Sequence, residues 1–572
     1  MTSDLSSAVD EPTWFGRSGE PLFGILSTPS SGQVRGGIVI APPVGFEARG
    51  AGLALRGLAV ALAARGFIVL RFDYRGTGDS SGDFGTSAPD PQWMDDVASA
   101  VQFLREGGAD SVSVVGMRLG ATLAALAASQ QPLHLTSLVL WDPCESGRSY
   151  LRELRALESL RRQNFNDGND GSVETVEFRF PGSMATSLRS LSLSQSNPSS
   201  FAQRALVISR AQRPLSVPLN EHLSGGKTEF ATTKEQEALL GVAPFFATSP
   251  SLTIELIATW LEEADETAHQ SVALATTNEA VVEVDSGGGV ILERAIKLGS
   301  RELFAIVTQP RNGGRGPWIV MLAGLHEDHK GPSRQWVQLS RRWARAGLRC
   351  VRLDVSGMGE SHQHAGDPPL QSFNPVWIDD VNSAILALEP TDPSNCVYVG
   401  VCSGAFLALE SALRSRARGV CVINPPIGTN YIHAITRLQM FPSATARRIA
   451  QPMKRLLDTH HWVGAGLWQE VSRILPRRWA TDVMKAIKSN GTDIYVLGSL
   501  DDLSPYPRVP IVRSIEGRRI DHVKPYPFMF VPEMDHDMSV ADGRDRAAHL
   551  LDEHIRTTYA TASSNTSPPE DT

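Results

Sequence analysis

Short apolar, β-branched runs alternate with longer helical patterns along most of the chain. The run 38–41 is followed by a helical pattern near 52–65. Then come the run 67–72, a helix over 91–106, the run 111–115 and a helix over 119–129. The same order returns in the second half, with helices near 333–346, 375–388 and 403–415. Strand–helix alternation of this kind predicts an α/β fold, a mostly parallel sheet with helices on both faces. Ligands in such sheets bind beyond the carboxyl ends of the strands.

The second half is a copy of the first. Leu22-Phe23-Gly24-Ile25-Leu26 returns as Leu303-Phe304-Ala305-Ile306-Val307, 281 residues later. Gly37-Ile38-Val39-Ile40 returns as Trp318-Ile319-Val320-Met321 at the same offset, and so does the segment 65–73 as 346–354. Trp93-Met94-Asp95-Asp96-Val97 pairs with Trp377-Ile378-Asp379-Asp380-Val381 at an offset of 284. A register held this long marks a duplicated domain. The copies are expected at 12–265 and 290–558, joined by a linker at 266–289. Segments 145–200 and 427–488 interrupt the alternation after Trp141-Asp142-Pro143 and Ile423-Asn424-Pro425, and read as small caps. Residues 1–11 and the Ser/Thr/Pro-rich 559–572 are expected to lack fixed structure.

At 572 residues, with 42% hydrophobic and 20% charged content, the composition is that of a soluble globular protein too long for one core. A net charge of −8 carries no basic footprint, so nucleic acid is not an expected partner. No apolar run approaches the ~20 residues that cross a bilayer, and the first residues lack the pattern of a signal peptide. The 5 cysteines form no C-x-x-C pair, which fits buried thiols in a reducing cytoplasm.

One turn carries candidate chemistry. The strand 396–401 runs into Gly400-Val401-Cys402-Ser403-Gly404, a small-x-nucleophile-x-small turn with cysteine at its centre. The matching turn of the first copy is Gly116-Met117-Arg118-Leu119-Gly120.

These turns resemble the nucleophile elbow of the α/β-hydrolase superfamily, and the chain is most similar to its serine-aminopeptidase-like branch. Asp73-Tyr74-Arg75-Gly76-Thr77-Gly78-Asp79-Ser80, its counterpart at 354–361, and Gly498-Ser499-Leu500-Asp501 after an apolar strand carry the same resemblance. The Gly-x-Arg-x-Gly-Ala form is also similar to hydrolases associated with bacterial exopolysaccharide and exosortase gene clusters. The fold hosts many activities, so the resemblance implies architecture more sharply than substrate.

The family order is nucleophile, acid, histidine. It implies Cys402 as nucleophile, Asp501 as acid with Asp502 as the near alternative, and His536 as base. A helix N-terminus beneath Cys402 favours a thiolate; a small buried core thiol is the competing reading. The family's oxyanion donors would fall at the backbone N–H groups of Leu325 and Ser403. His326 and His329, with His362 and His364, could be read as a metal site. No carboxylate or cysteine stands at ligand spacing, so pocket-rim residues are the preferred reading and no metal or cofactor is expected.

The first copy lacks all three groups. Arg118 cannot attack a carbonyl, Gln212 falls at the acid position, and Lys234 and Glu235 lie where the histidine would be. A cation at a helix N-terminus needs an anion beside it. An internal ion pair with a residue such as Asp142 is preferred over a bound carboxylate or phosphate.

Three functions remain open. The first is an acyl hydrolase acting on a small-molecule or carrier-bound ester or thioester through a covalent thioester. The second is an acyltransferase passing that acyl group to an alcohol, amine or thiol in polymer or natural-product assembly. The third is a scaffold with no catalysis. The sequence leaves the oligomeric state open.

Overall fold

The computed structural model describes every residue except 1–7, 31–33, 86–88, 162–169, 242–246, 265–271, 273, 285–287, 326, 365, 368–373, 390, 426–478, 500–527, 537 and 561–572. By compactness the chain divides after Ala295 into two units.

The first unit is built on an eight-stranded sheet. Its strands are β1 (Ala8–Arg17), β2 (Glu20–Pro29), β3 (Gly37–Ala41), β4 (Ile68–Phe72), β5 (Val112–Met117), β6 (Ser137–Trp141), β9 (Arg204–Arg210) and β10 (Thr228–Thr233). A separate two-stranded ribbon, β7 (Val173–Glu174) and β8 (Arg179–Phe180), lies in the insertion after β6. The sheet order is β1-β2-β4-β3-β5-β6-β9-β10. β1, β2 and β4 pair antiparallel, and the rest are parallel from β4 onward.

The second sheet contains β11 (Glu279–Val284), β12 (Val290–Leu298), β13 (Leu303–Pro310), β14 (Trp318–Leu322), β15 (Arg349–Leu353), β16 (Cys396–Val401), β17 (Gly419–Ile423), β18 (Asp493–Gly498) and β19 (Phe528–Phe530). Its order is β11-β12-β13-β15-β14-β16-β17-β18-β19. Without the extra edge strand β11, this is the first sheet's order repeated. The expected fold class is what forms, twice.

The strands read as unbroken apolar runs because both faces are covered. In β3, Val39 packs into one core, while Ile38 and Ile40 pack into the core on the opposite face. Val320 and its neighbours Ile319 and Met321 divide the same way in β14. This is the period-two alternation of a strand, with apolar partners on both sides.

Three expectations need correction. Residues 8–11 are ordered: Ala8, Val9, Asp10 and Glu11 pair with Pro29, Thr28, Ser27 and Leu26. Their polar groups find partners, since the Ser27 hydroxyl donates to Asp10 Oδ1 at 2.5 Å. The supposed linker holds β11, which pairs antiparallel with β12 through a bulge between Val281 and Glu283. At the other end Tyr559 is buried and its hydroxyl donates to Asp493 Oδ2 at 2.8 Å. The remaining terminal residues, 561–572, lie outside the described residues, as does most of 427–488. The first insertion comprises a helix at Gly147–Arg161, the β7–β8 ribbon and a helix at Gly182–Ser190.

Candidate active site

Both Gly-x-x-x-Gly turns fall at the carboxyl end of a central strand, where β5 and β16 lead into helices Leu119–Gln130 and Ser403–Ser415. Arg118 has φ 55° and ψ −122°, and Cys402 has φ 52° and ψ −118°. The glycines are required by close approach. A Cβ on Gly400 would lie 2.2 Å from Gly404 O, and one on Gly404 would lie 2.5 Å from Ala323 O. The helix therefore starts hard against the end of β14, and the central residue is lifted out of the sheet in a left-handed conformation that ordinary residues avoid.

Cys402 is partly exposed, whereas the other four cysteines are buried. Its N–H donates to Ile423 O at 3.0 Å, which ties the turn to the end of β17. Sγ lies 3.1 Å from His536 Nε2. This is hydrogen-bond range for sulfur and allows a proton to pass between thiol and imidazole. Burial pushes the Cys396 thiol up to about 12 and raises Cys144 and Cys421 as well, so these three resist ionisation.

His536 follows β19 in a loop held by several backbone contacts. The Asp535 carboxylate accepts from the N–H groups of Ser539 and Val540 at 2.7 and 3.1 Å, and from the Ser539 hydroxyl. It thereby ties down the approach to helix Ala541–Ile555. Arg544 NH1 donates to Met538 O at 3.2 Å and to Ser333 Oγ at 3.0 Å. Asn424 donates through Nδ2 to the carbonyls of Asp535 and His536 at 3.0 and 2.8 Å. Asp501 and its alternative Asp502 lie outside the described residues, which stop at Ser499 on that side.

The two expected oxyanion donors are placed differently from one another. Ser403 occupies the first turn position of its helix, and its N–H has no acceptor among the described residues. The Leu325 N–H is engaged: it donates to Ser403 Oγ at 2.7 Å. The family pattern singles out the backbone of Ser403, and nothing in it points to the hydroxyl that holds this N–H.

The described histidines have separate surroundings. His329 is buried, with Nδ1 2.8 Å from Asp354 Oδ2 and its N–H donating to Asp354 Oδ1 at 2.7 Å. His364 is exposed, with Nε2 3.2 Å from Arg301 O. His362 is exposed and His326 lies outside the described residues. Among the described residues no group of three or more His, Cys, Asp or Glu could hold a metal ion.

In the first unit Arg118 is buried among carboxylates. Nε donates to Glu47 Oε1 at 2.8 Å, NH2 to Glu153 Oε2 at 2.8 Å, and NH1 to Asp142 Oδ2 at 3.3 Å. Arg210 joins through Nε to Asp142 Oδ2 at 2.7 Å, and Arg213 contacts Glu153 Oε1 at 2.8 Å. Burial raises Glu47 and Asp142, and the guanidinium of Arg118 only partly offsets it. Burial acts against Glu153 too, but Arg118, Arg210 and Arg213 hold it below the usual carboxylate range. The internal ion pair with Asp142 is therefore present and larger than expected. Glu47, Glu153 and Arg210 come from distant segments with no local signal.

Geometry and sequence now meet in a family. Residues 319–550 match the family model for the alpha/beta hydrolase family, and residues 51–166 match that for serine aminopeptidase, S33. The protein is a tandem of two α/β-hydrolase domains. No curated protein matches the chain. Among solved structures it is similar to the esterase Est1E from Butyrivibrio proteoclasticus with ferulic acid bound, at 15% identity over 44% of this chain and 98% of that one, TM-score 0.34. A putative hydrolase from Agrobacterium vitis S4 is similar at 16% identity over 45% and 99%, TM-score 0.31. Proline iminopeptidase from Mycobacterium smegmatis also gives 16% identity over 45% and 99%, TM-score 0.31. Among the described residues no helix is long and apolar enough to cross a membrane.

Proposed function

We propose that the second domain is an acyl hydrolase of ester or thioester bonds that uses Cys402 as a covalent nucleophile and His536 as its base. One observation carries the reading: Cys402 Sγ stands on the elbow 3.1 Å from His536 Nε2. The thiol proton passes to Nε2 while sulfur attacks the acyl carbon, forming a carbon–sulfur bond and an oxyanion. The Ser403 N–H donates to that oxyanion, and the Leu325 N–H joins when the Ser403 hydroxyl turns aside. The intermediate collapses, the bond to the leaving group breaks, and the leaving group takes the proton from Nε2. Water then attacks the thioester with His536 again as base, and Cys402 regains its proton. Asp501 is the proposed acid that orients the imidazole, with Asp502 the alternative.

The first domain, with arginine on its elbow, carries no such chemistry in this proposal. Its buried ion-pair cluster acts as structure.

The test is intact mass after incubation with p-nitrophenyl esters and acyl thioesters. An acyl adduct on the parent that is absent from Cys402→Ala supports the reading, and its decay in water marks hydrolysis. Faster decay on adding an alcohol, amine or thiol, with the acylated acceptor recovered, would make the protein an acyltransferase. An unreactive Cys402 with no adduct across the panel would leave a scaffold.

A further inference from the structure

One buried side chain joins the end of β18 to the loop that holds His536. Asn424 directly follows β17, is 1% exposed, and has φ 47°. Its own N–H donates to Leu497 O at 3.0 Å. Its Oδ1 accepts from the Ser499 N–H at 2.8 Å, directly after β18. Its Nδ2 donates to Asp535 O at 3.0 Å and His536 O at 2.8 Å. An amide facing one N–H and two carbonyls has only one satisfying orientation, so its oxygen and nitrogen are not interchangeable here. A carboxylate could serve Ser499 but would confront the two carbonyls with lone pairs.

The first domain holds that carboxylate. Asp142 occupies the same place before a proline, with φ 49°, and its Oδ2 accepts from both Arg118 and Arg210. An amide stands where a histidine loop must be held, and an acid stands where an arginine must be neutralised.

We propose that Asn424 is a positioning residue that holds His536 within proton-transfer distance of Cys402. This rests on the pairing of Cys402 with His536 proposed above. The amide touches backbone only, so it acts through the placement of the imidazole. A displacement of one ångström at such a site is enough to disable transfer.

The experiment is a double-mutant cycle on the full-length protein, read as the rate of Cys402 alkylation by iodoacetamide at pH 7 and located by peptide mass. Asn424→Asp keeps the volume and a residue type that the first domain already holds at positive φ. Asn424→Gly removes the amide without strain and guards against a folding failure of the first variant. His536→Ala is expected to slow alkylation about tenfold or more in the parent, and less than about twofold in either Asn424 background. A His536 effect of unchanged size in a folded Asn424 variant would overturn the positioning role, even if its melting temperature had fallen. No His536 effect in the parent would instead remove the Cys402–His536 pairing, and the positioning role with it.

Discussion

The two elbows share a backbone and differ in what surrounds it. Arg118 and Cys402 have φ and ψ within a few degrees of one another. Around Arg118 the chain assembles Glu47, Asp142 and Glu153, three carboxylates that neutralise a buried cation. Around Cys402 it assembles an imidazole and, at the position of Asp142, a neutral amide. The fold supplies the platform, and residues from separate loops decide whether a neutralised cation or a thiol beside an imidazole stands on it.

A second pair of equivalent sites shows the same exchange without chemistry. In the first domain Trp93 Nε1 donates to Arg75 O at 2.9 Å, and the Arg75 N–H donates to Asp96 Oδ2 at 2.8 Å. In the second, Trp377 Nε1 donates to Ser356 O at 3.0 Å, and the Ser356 N–H donates to Asp380 Oδ2 at 2.9 Å. The cation has moved. Arg75 itself lies 3.0 Å from Asp96 and 3.2 Å from Glu20. In the second domain Arg301, at the position of Glu20, lies 3.0 Å from Asp380 and donates to Ser356 Oγ at 2.9 Å. A buried aspartate keeps an arginine in each copy, from opposite ends of the same pair of positions.

The largest expected effect comes from breaking the first cluster. Arg118→Met leaves Glu47 and Asp142 buried with less cation, and is expected to destabilise the first domain by about 3–5 kcal/mol. Both carboxylates are already pushed up by burial, and losing Arg118 pushes them further. A raised carboxylate favours folding at low pH and loses that contribution as pH rises through its folded value. The deficit should therefore be greater at pH 8 than at pH 5 in calorimetry. A small loss independent of pH would break the comparison by showing the cluster idle.

Arg75→Ser is expected to cost about 1–3 kcal/mol, and adding Glu20→Arg should recover most of it by recreating the second domain's arrangement. Burial raises Asp96 to about 6, with Arg75 opposing. Stability from this group is full below about 4 and falls as pH rises toward 6. In Arg75→Ser the fall should extend to higher pH. Absence of rescue in the double variant would show that the exchanged cation is not equivalent.

The smallest effect concerns Ser403, whose counterpart in the first domain is Leu119. Ser403→Ala frees the Leu325 N–H and is expected to raise the acylation rate a few-fold, about 1 kcal/mol. A fall of tenfold or more would mean that the hydroxyl itself helps carry the oxyanion.

Much of this was legible in the sequence, for reasons that can be named. The alternation and the repeat register placed the central strands, because doubly buried strands leave an unbroken apolar run. The edge strands escaped. β1 begins Ala8-Val9-Asp10-Glu11-Pro12, and Asp10 is satisfied by partners that are not local, Ser27 and Arg56. β11 reads as a linker in the sequence because an edge strand needs little burial. Cys402 and His536, 3.1 Å apart in the structure, stand out in the sequence by motif and by the family's chain order. Asn424 does not, since asparagine before proline reads as a turn and its partners lie 75, 111 and 112 positions away. The ring of acids around Arg118 is likewise tertiary, apart from Asp142.

The left-handed turn at Arg118 bears on how active sites are recognised in other proteins. A backbone held in an unfavourable region costs about 1–3 kcal/mol and is commonly taken as a mark of function. Here the same torsion angles carry a residue that cannot attack anything. The contact that demands them is the seating of a helix against the end of a strand, which each domain needs in order to fold. Distortion of this kind identifies an architecture, and only the side chain standing on it says what chemistry the turn can support.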